Sequence, residues 1–111
     1  MQYTHRFKDN SETNLPLGKV VCVGRNYADH AAELNNPIPT EPMLFIKPAS
    51  SVVPMEQPFA VPQGLGSVHF ETEMSILIGE RLQHADLSAA KAAIAGVGLG
   101  LDLTLRDVQD K

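Results

Sequence analysis

Residues 67–79, SVHFETEMSILIG, set apolar side chains at every second position, a period that predicts a β-strand. One face would carry Val68, Phe70, Thr72, Met74, Ile76 and Ile78, the other His69, Glu71, Glu73, Ser75 and Leu77. VGLGLDLTL at 97–105 alternates as strictly. Val97, Leu99, Leu101, Leu103 and Leu105 share one face, and Gly98, Gly100, Asp102 and Thr104 the other. Two shorter runs, KVVCV at 19–23 and MLFIK at 43–47, predict further strands closed by Gly24 and Pro48. Residues 48–56 read as irregular, and QPFAVP at 57–62 as an edge strand, where proline is tolerated. QGLG at 63–66 reads as a turn into the 67–79 strand.

Three segments predict helices. NYADHAAELNN has Asn26 as N-cap and Asn35, Asn36 and Pro37 as its stop. DLSAAKAAIA at 86–95 is alanine-rich and ends at Gly96. RDVQDK opens a last helix, with Thr104 as N-cap and Asp107 three residues later. Residues 1–18 are polar and read as an N-terminal arm or leading strand; residues 19–111 hold the predicted elements. The chain stops early in its last helix, and several strands have no evident partner within it. On that ground the sequence reads as a fragment.

Composition narrows the class. With 43% hydrophobic and 20% charged residues, the 111-residue chain suits a single soluble globular domain. A net charge of −4 argues against a nucleic-acid partner. The single cysteine, Cys22, excludes an intrachain disulfide and a cysteine-rich zinc site, and suits a reducing, cytoplasmic setting. Cys22 and the methionines read as core. The N-terminus shows no signal-peptide pattern, and no apolar run approaches the ~20 residues of a membrane span.

Three carboxylates carry the candidate chemistry. Glu71 and Glu73 would stand side by side on one strand face, where like charges repel. Asp102 lies between Leu101 and Leu103, and an unpaired buried carboxylate is costly. A divalent cation would answer both problems. All-oxygen ligands suit Mg²⁺ or Mn²⁺, and Ca²⁺ less, since no EF-hand-like loop is present. Gly98 and Gly100 leave room beside Asp102. Plainer readings stay open: a solvated E-x-E face, and an Asp102 satisfied by backbone N–H groups or by Arg106. His69 could be a fourth ligand, an outer donor or a half-exposed strand histidine. His30 and Glu33 stand at i and i+3, where a carboxylate can orient an imidazole as a general base; a surface helix pair is the alternative. Arg25, Lys47 and Arg106 sit at element ends, where sites gather, or are ordinary surface charge.

VCVGRNYADHAAEL at 21–34, EPMLFIKP at 41–48, GSVHFETEMSILIG at 66–79 and LDLTLRDVQ at 101–109, in this order, resemble the fumarylacetoacetate hydrolase family. The resemblance covers nearly the whole chain, and corresponds to the N-terminal half of small single-domain members. These act as acylpyruvate hydrolases, oxaloacetate decarboxylases or homoprotocatechuate-pathway isomerase/decarboxylases. The resemblance implies an α+β, mostly β fold, a mixed β-sandwich roll with a few short helices, incomplete here and homodimeric. It implies a metal triad of Glu71, Glu73 and Asp102 holding Mg²⁺ (or Mn²⁺, with Ca²⁺ less suited) and a catalytic dyad of His30 and Glu33. Arg25, Lys47, Arg106 and Gln109 would bind substrate.

The implied reaction is hydrolysis of a C–C bond in a 2,4-dioxo acid such as an acylpyruvate, with water activated by His30 and a metal-bound enolate leaving. Decarboxylation of a 3-carboxy-2-oxo acid passes through the same enolate. A 2-oxo acid decarboxylase or isomerase on this site is therefore the alternative, and a catalytically incomplete metal-binding fragment a further one. The partner is a small dicarbonyl or 2-oxo acid, with no nucleic acid and no membrane. The family's catalytic lysine after an A-K-x-F-type segment, and its later Gly/Thr loop, have no counterpart in these residues.

Overall fold

The computed structural model describes residues 2–26 and 40–109. The elements run β1 (Val20–Gly24), β2 (Met43–Lys47), β3 (Val68–Ile78), α1 (Leu87–Ala92), β4 (Ile94–Leu105) and α2 (Arg106–Gln109), with a 3₁₀ turn at Ala49–Ser51. The architecture is α+β and mostly β. The helix expected from Asn26, with its His30 and Glu33, lies outside the described residues beyond Asn26 itself.

The strands form two antiparallel pairs. β1 pairs with β2 so that Val20 faces Lys47, Cys22 faces Phe45 and Gly24 faces Met43. β3 pairs with β4 over eleven residues, with Val68 opposite Leu105, Glu71 opposite Asp102 and Glu73 opposite Gly100. The period-2 pattern in both long strands made this register favourable, because a slip by one residue would swap every side chain to the other face. The ladder shifts at Leu77/Ile78, where Ile78 pairs with Ile94 and Ala95 bulges out.

Three boundaries differ from the sequence reading. Residues 57–62 form no strand; Pro58 and Pro62 lack the N–H groups that a ladder needs. The α1 helix is capped by Asp86, whose carboxylate accepts from Ala89 N–H at 2.8 Å. It ends before Ala93, not at Gly96, because Ile94, Ala95 and Gly96 are drawn into β4 by pairing with β3. Thr104 likewise stays in the ladder opposite His69, so α2 starts without it as a cap.

The segment before β1 is irregular. It turns back on itself through a bridge between Arg6 and Glu12, whose side chains also pair at 3.3 Å. Among the described residues only Ala93 is fully buried. The face of β3 and β4 built from Phe70, Met74, Ile76, Val97, Leu99 and Leu101 is exposed, Leu99 at 75%. So is the β1–β2 face of Val21, Val23, Leu44 and Ile46. The opposite face of each pair is the more covered one, and the candidate site lies there.

Candidate metal centre

Glu71 and Asp102 are direct cross-strand partners, and Glu73 is two residues along β3 from Glu71. Alternation therefore puts all three carboxylates on one face of one strand pair. Opposed side chains in an antiparallel pair stand about 5 Å apart at Cβ, and like charges there repel. Among the described residues two cations answer the repulsion, each from a different element.

Lys47, the last residue of β2, donates from Nζ to Asp102 Oδ1 and, at 3.3 Å, to the Leu103 carbonyl. Arg106, the first residue of α2, brings Nη2 to 3.8 Å from Glu71 Oε1, while its Nε is buried with no hydrogen-bond partner. Asp102 is the most enclosed of the paired groups, with 17% of its side chain exposed against 37% for Glu71. The Lys47 contact also links the β1–β2 pair to the β3–β4 face.

Cys22, on the same β1–β2 face as Lys47, is half-buried. Its thiol is pushed up from its ordinary value, first by burial, then by Asp102, with Lys47 opposing and Glu73 adding. Opposite Glu73 stands Gly100, where an added Cβ would meet nothing within 4 Å. A Cβ-less floor thus lies beside the carboxylates. His69 shares their face by alternation, but its Nε2 lies 3.1 Å from Ser67 Oγ.

Oxygen donors on one face with open space beside them fit a hard divalent cation by chemistry. Among the described residues no three His, Cys, Asp or Glu side chains are gathered closely enough to hold one. Lys47 and Arg106 stand on two of the three carboxylates. Arg25 follows β1 directly, exposed and at φ 53°, and Gln109 ends α2, three residues from Arg106 on the same helical face. His30 and Glu33 lie outside the described residues. The sequence reading had no means of pairing Lys47 with Asp102. Alternation along MLFIK shows which face Lys47 takes, but not which strand pair that face meets.

The family profile described as fumarylacetoacetate (FAA) hydrolase C-terminal matches residues 19–111. The chain belongs to the fumarylacetoacetate hydrolase family. The chain is 48% identical over 109 residues to the oxaloacetate tautomerase YcgM of Escherichia coli K12, spanning 98% of this chain and 50% of that protein. A crystal structure of a candidate fumarylacetoacetate isomerase/hydrolase from Oleispira antarctica matches 97% of this chain and 48% of its own, at TM-score 0.89 and 56% identity. A candidate fumarylacetoacetate hydrolase family protein from Yersinia pestis CO92 matches at TM-score 0.91 and 44% identity, again over half of its chain. The strand pairs described above are thus part of the family's fold, and the chain spans about half the length of these relatives. Among the described residues no helix is long and apolar enough to cross a membrane.

Proposed function

We propose that this chain contributes the acidic half of an active site that acts on a small anionic 2-oxo acid, with oxaloacetate keto–enol interconversion as its reaction. The observation that carries the reading is the cross-strand pairing of Glu71 with Asp102, with Glu73 beside them and a cationic side chain on each paired carboxylate. The tautomerase name of a relative 48% identical over nearly all of this chain supports the reaction.

Glu71, Glu73 and Asp102 would hold a divalent cation, Mg²⁺ or Mn²⁺, which when bound supplies Lewis acidity to a chelating 2-oxo acid. Charge then favours an anionic substrate. Glu71, Glu73, Asp102, Lys47 and Arg106 sum to one negative charge, and a divalent cation makes the sum one positive. Arg25, Lys47, Arg106 and Gln109 would surround the substrate's anionic groups, Arg106 and Gln109 from one face of α2. His30, oriented by Glu33, would take the proton from C3 as the C2–C3 double bond forms and the C2=O double bond opens, its oxygen taking a proton from water; the reverse direction returns a proton to C3 and releases the one on oxygen. The exposed outer sheet faces support assembly with further protein surface, a homodimer in this reading.

Hydrolysis of a 2,4-dioxo acid is the second reading, favoured by the hydrolase descriptions of the matched structures. There His30 would instead take a proton from the attacking water. Full-length protein assayed with oxaloacetate and with acetylpyruvate, in Mg²⁺ and in chelator, separates the two. Mg²⁺-dependent oxaloacetate tautomerisation is expected, with at least about 100-fold loss in Asp102→Asn. Turnover of neither substrate, or turnover indifferent to chelator and to Asp102→Asn, would sink the proposal.

A further inference from the structure

The geometry points to Lys47 as an internal competitor for the divalent cation: its ammonium group sits on Asp102 and must yield that oxygen before a cation can gather the three carboxylates. This rests on the reading of Glu71, Glu73 and Asp102 as metal ligands. Four observations carry it. Lys47 Nζ donates to Asp102 Oδ1, a carboxylate more enclosed than its cross-strand partner Glu71. The same ammonium has a second acceptor in the Leu103 carbonyl at 3.3 Å, so it keeps a partner when it leaves Asp102. Arg106 stands off Glu71 at 3.8 Å, longer than a hydrogen bond, and so restrains its carboxylate less. With both cations in place, the carboxylates are not gathered into a metal-sized group.

Lys47 also stands at the end of β2, on a different strand pair from its acceptor. Its four-carbon stem allows the ammonium to swing without moving either ladder. A shift from Asp102 to the Leu103 carbonyl is therefore a side-chain motion alone. Lys47 would act through Asp102, as a positioning residue that sets how tightly the cation is held. A residue that merely held Asp102 in place would have the opposite effect on removal, because losing it would let the ligand wander and weaken cation binding. The sign of the change thus separates the two roles.

The test is Mn²⁺ and Mg²⁺ titration of metal-depleted full-length protein by calorimetry, without substrate. Lys47→Met removes the charge and keeps the stem. It is expected to bind the cation at least about tenfold more tightly than the natural protein, since a positive charge is removed from beside a dication. Lys47→Arg keeps the charge and should stay near the natural affinity or below it. Lys47→Gln, neutral but still able to donate, is expected to tighten binding as Lys47→Met does, and serves should the methionine variant not fold. Unchanged or weaker affinity in the neutral variants overturns the proposal. Failure of the underlying metal reading looks different: the natural protein and Asp102→Asn would then titrate alike, and Lys47 would have no cation to compete with.

Discussion

Desolvation in β1 raises the Cys22 thiol above its ordinary range, Asp102 adds to the rise, Lys47 opposes it and Glu73 adds again. Cys22 is therefore a side chain whose chemistry reads the charge of the carboxylate cluster from the neighbouring strand pair. Iodoacetamide alkylation, which needs the thiolate, should follow a pH curve displaced upward in the native protein relative to the same chain in urea. Lys47→Met should displace it further upward, because the one opposing charge is gone. Native and unfolded curves that coincide would contradict the burial of the thiol. The sign for stability follows. A raised folded value means that the contribution of the neutral thiol is complete below the ordinary thiol range and is lost as pH rises through the folded value. At this scale the sequence was legible where one rule sufficed. Alternation put Glu71 and Glu73 on one face and Asp102 on the glycine face of its own strand, whereas the partner of Lys47 depended on a contact between residues far apart in sequence.

At the scale of elements, β3 and β4 owe their length and register to matched alternation, and the turn before β3 owes its shape to glycine. Gly66 sits at φ +87°, and a Cβ built there would overlap the Asp107 carboxylate in the first turn of α2. Gly66→Ala would strain the turn and drive the Asp107 side chain from its place at the start of α2, the helix that carries Arg106 and Gln109. A loss of about 1–3 kcal/mol is expected, read from the urea midpoint of the full-length protein. Gly64, at φ +78° with nothing within 4 Å of an added Cβ, is the control. Gly64→Ala carries the backbone strain without the collision and should cost less. Equal costs would mean that the Asp107 contact contributes nothing. The period-2 rule that located β3 and β4 started β4 three residues late, since IAG has no alternation of its own and joins the strand through pairing, and residues 57–62, read as an edge strand, form none because two prolines remove ladder donors.

The whole molecule is expanded for its mass. Its accessible surface is 9333 Å², where a compact monomer of this mass exposes roughly 6,000 Å². Its radius of gyration is 16.0 Å, against about 13 Å for a compact domain of this length. Ala93 alone is fully buried among the described residues, and the two apolar sheet faces are part of the exposed surface. Residues 1–111 on their own should bind the dye ANS strongly and self-associate, measured by fluorescence and sedimentation. A cooperative melt from a monomer that leaves ANS dark would show those faces covered within the chain. The relatives, in which this chain spans about half the length, have further chain with which such faces can be covered.

The amino-acid sequence by itself determined the four strands, the side of each long strand on which its acidic residues lie, and membership of the FAA hydrolase family through ordered motifs. Those are local properties: a period of two, proline and glycine punctuation, and residue identity at fixed spacings. Only the tertiary structure decided that Glu71 and Asp102 are direct partners, that Lys47 crosses from one strand pair to the other to reach Asp102, and that both outer faces lie open. Register between strands and the meeting of two strand pairs are set by contacts distant in sequence, where the hydrophobic pattern states that a face is apolar without naming what covers it.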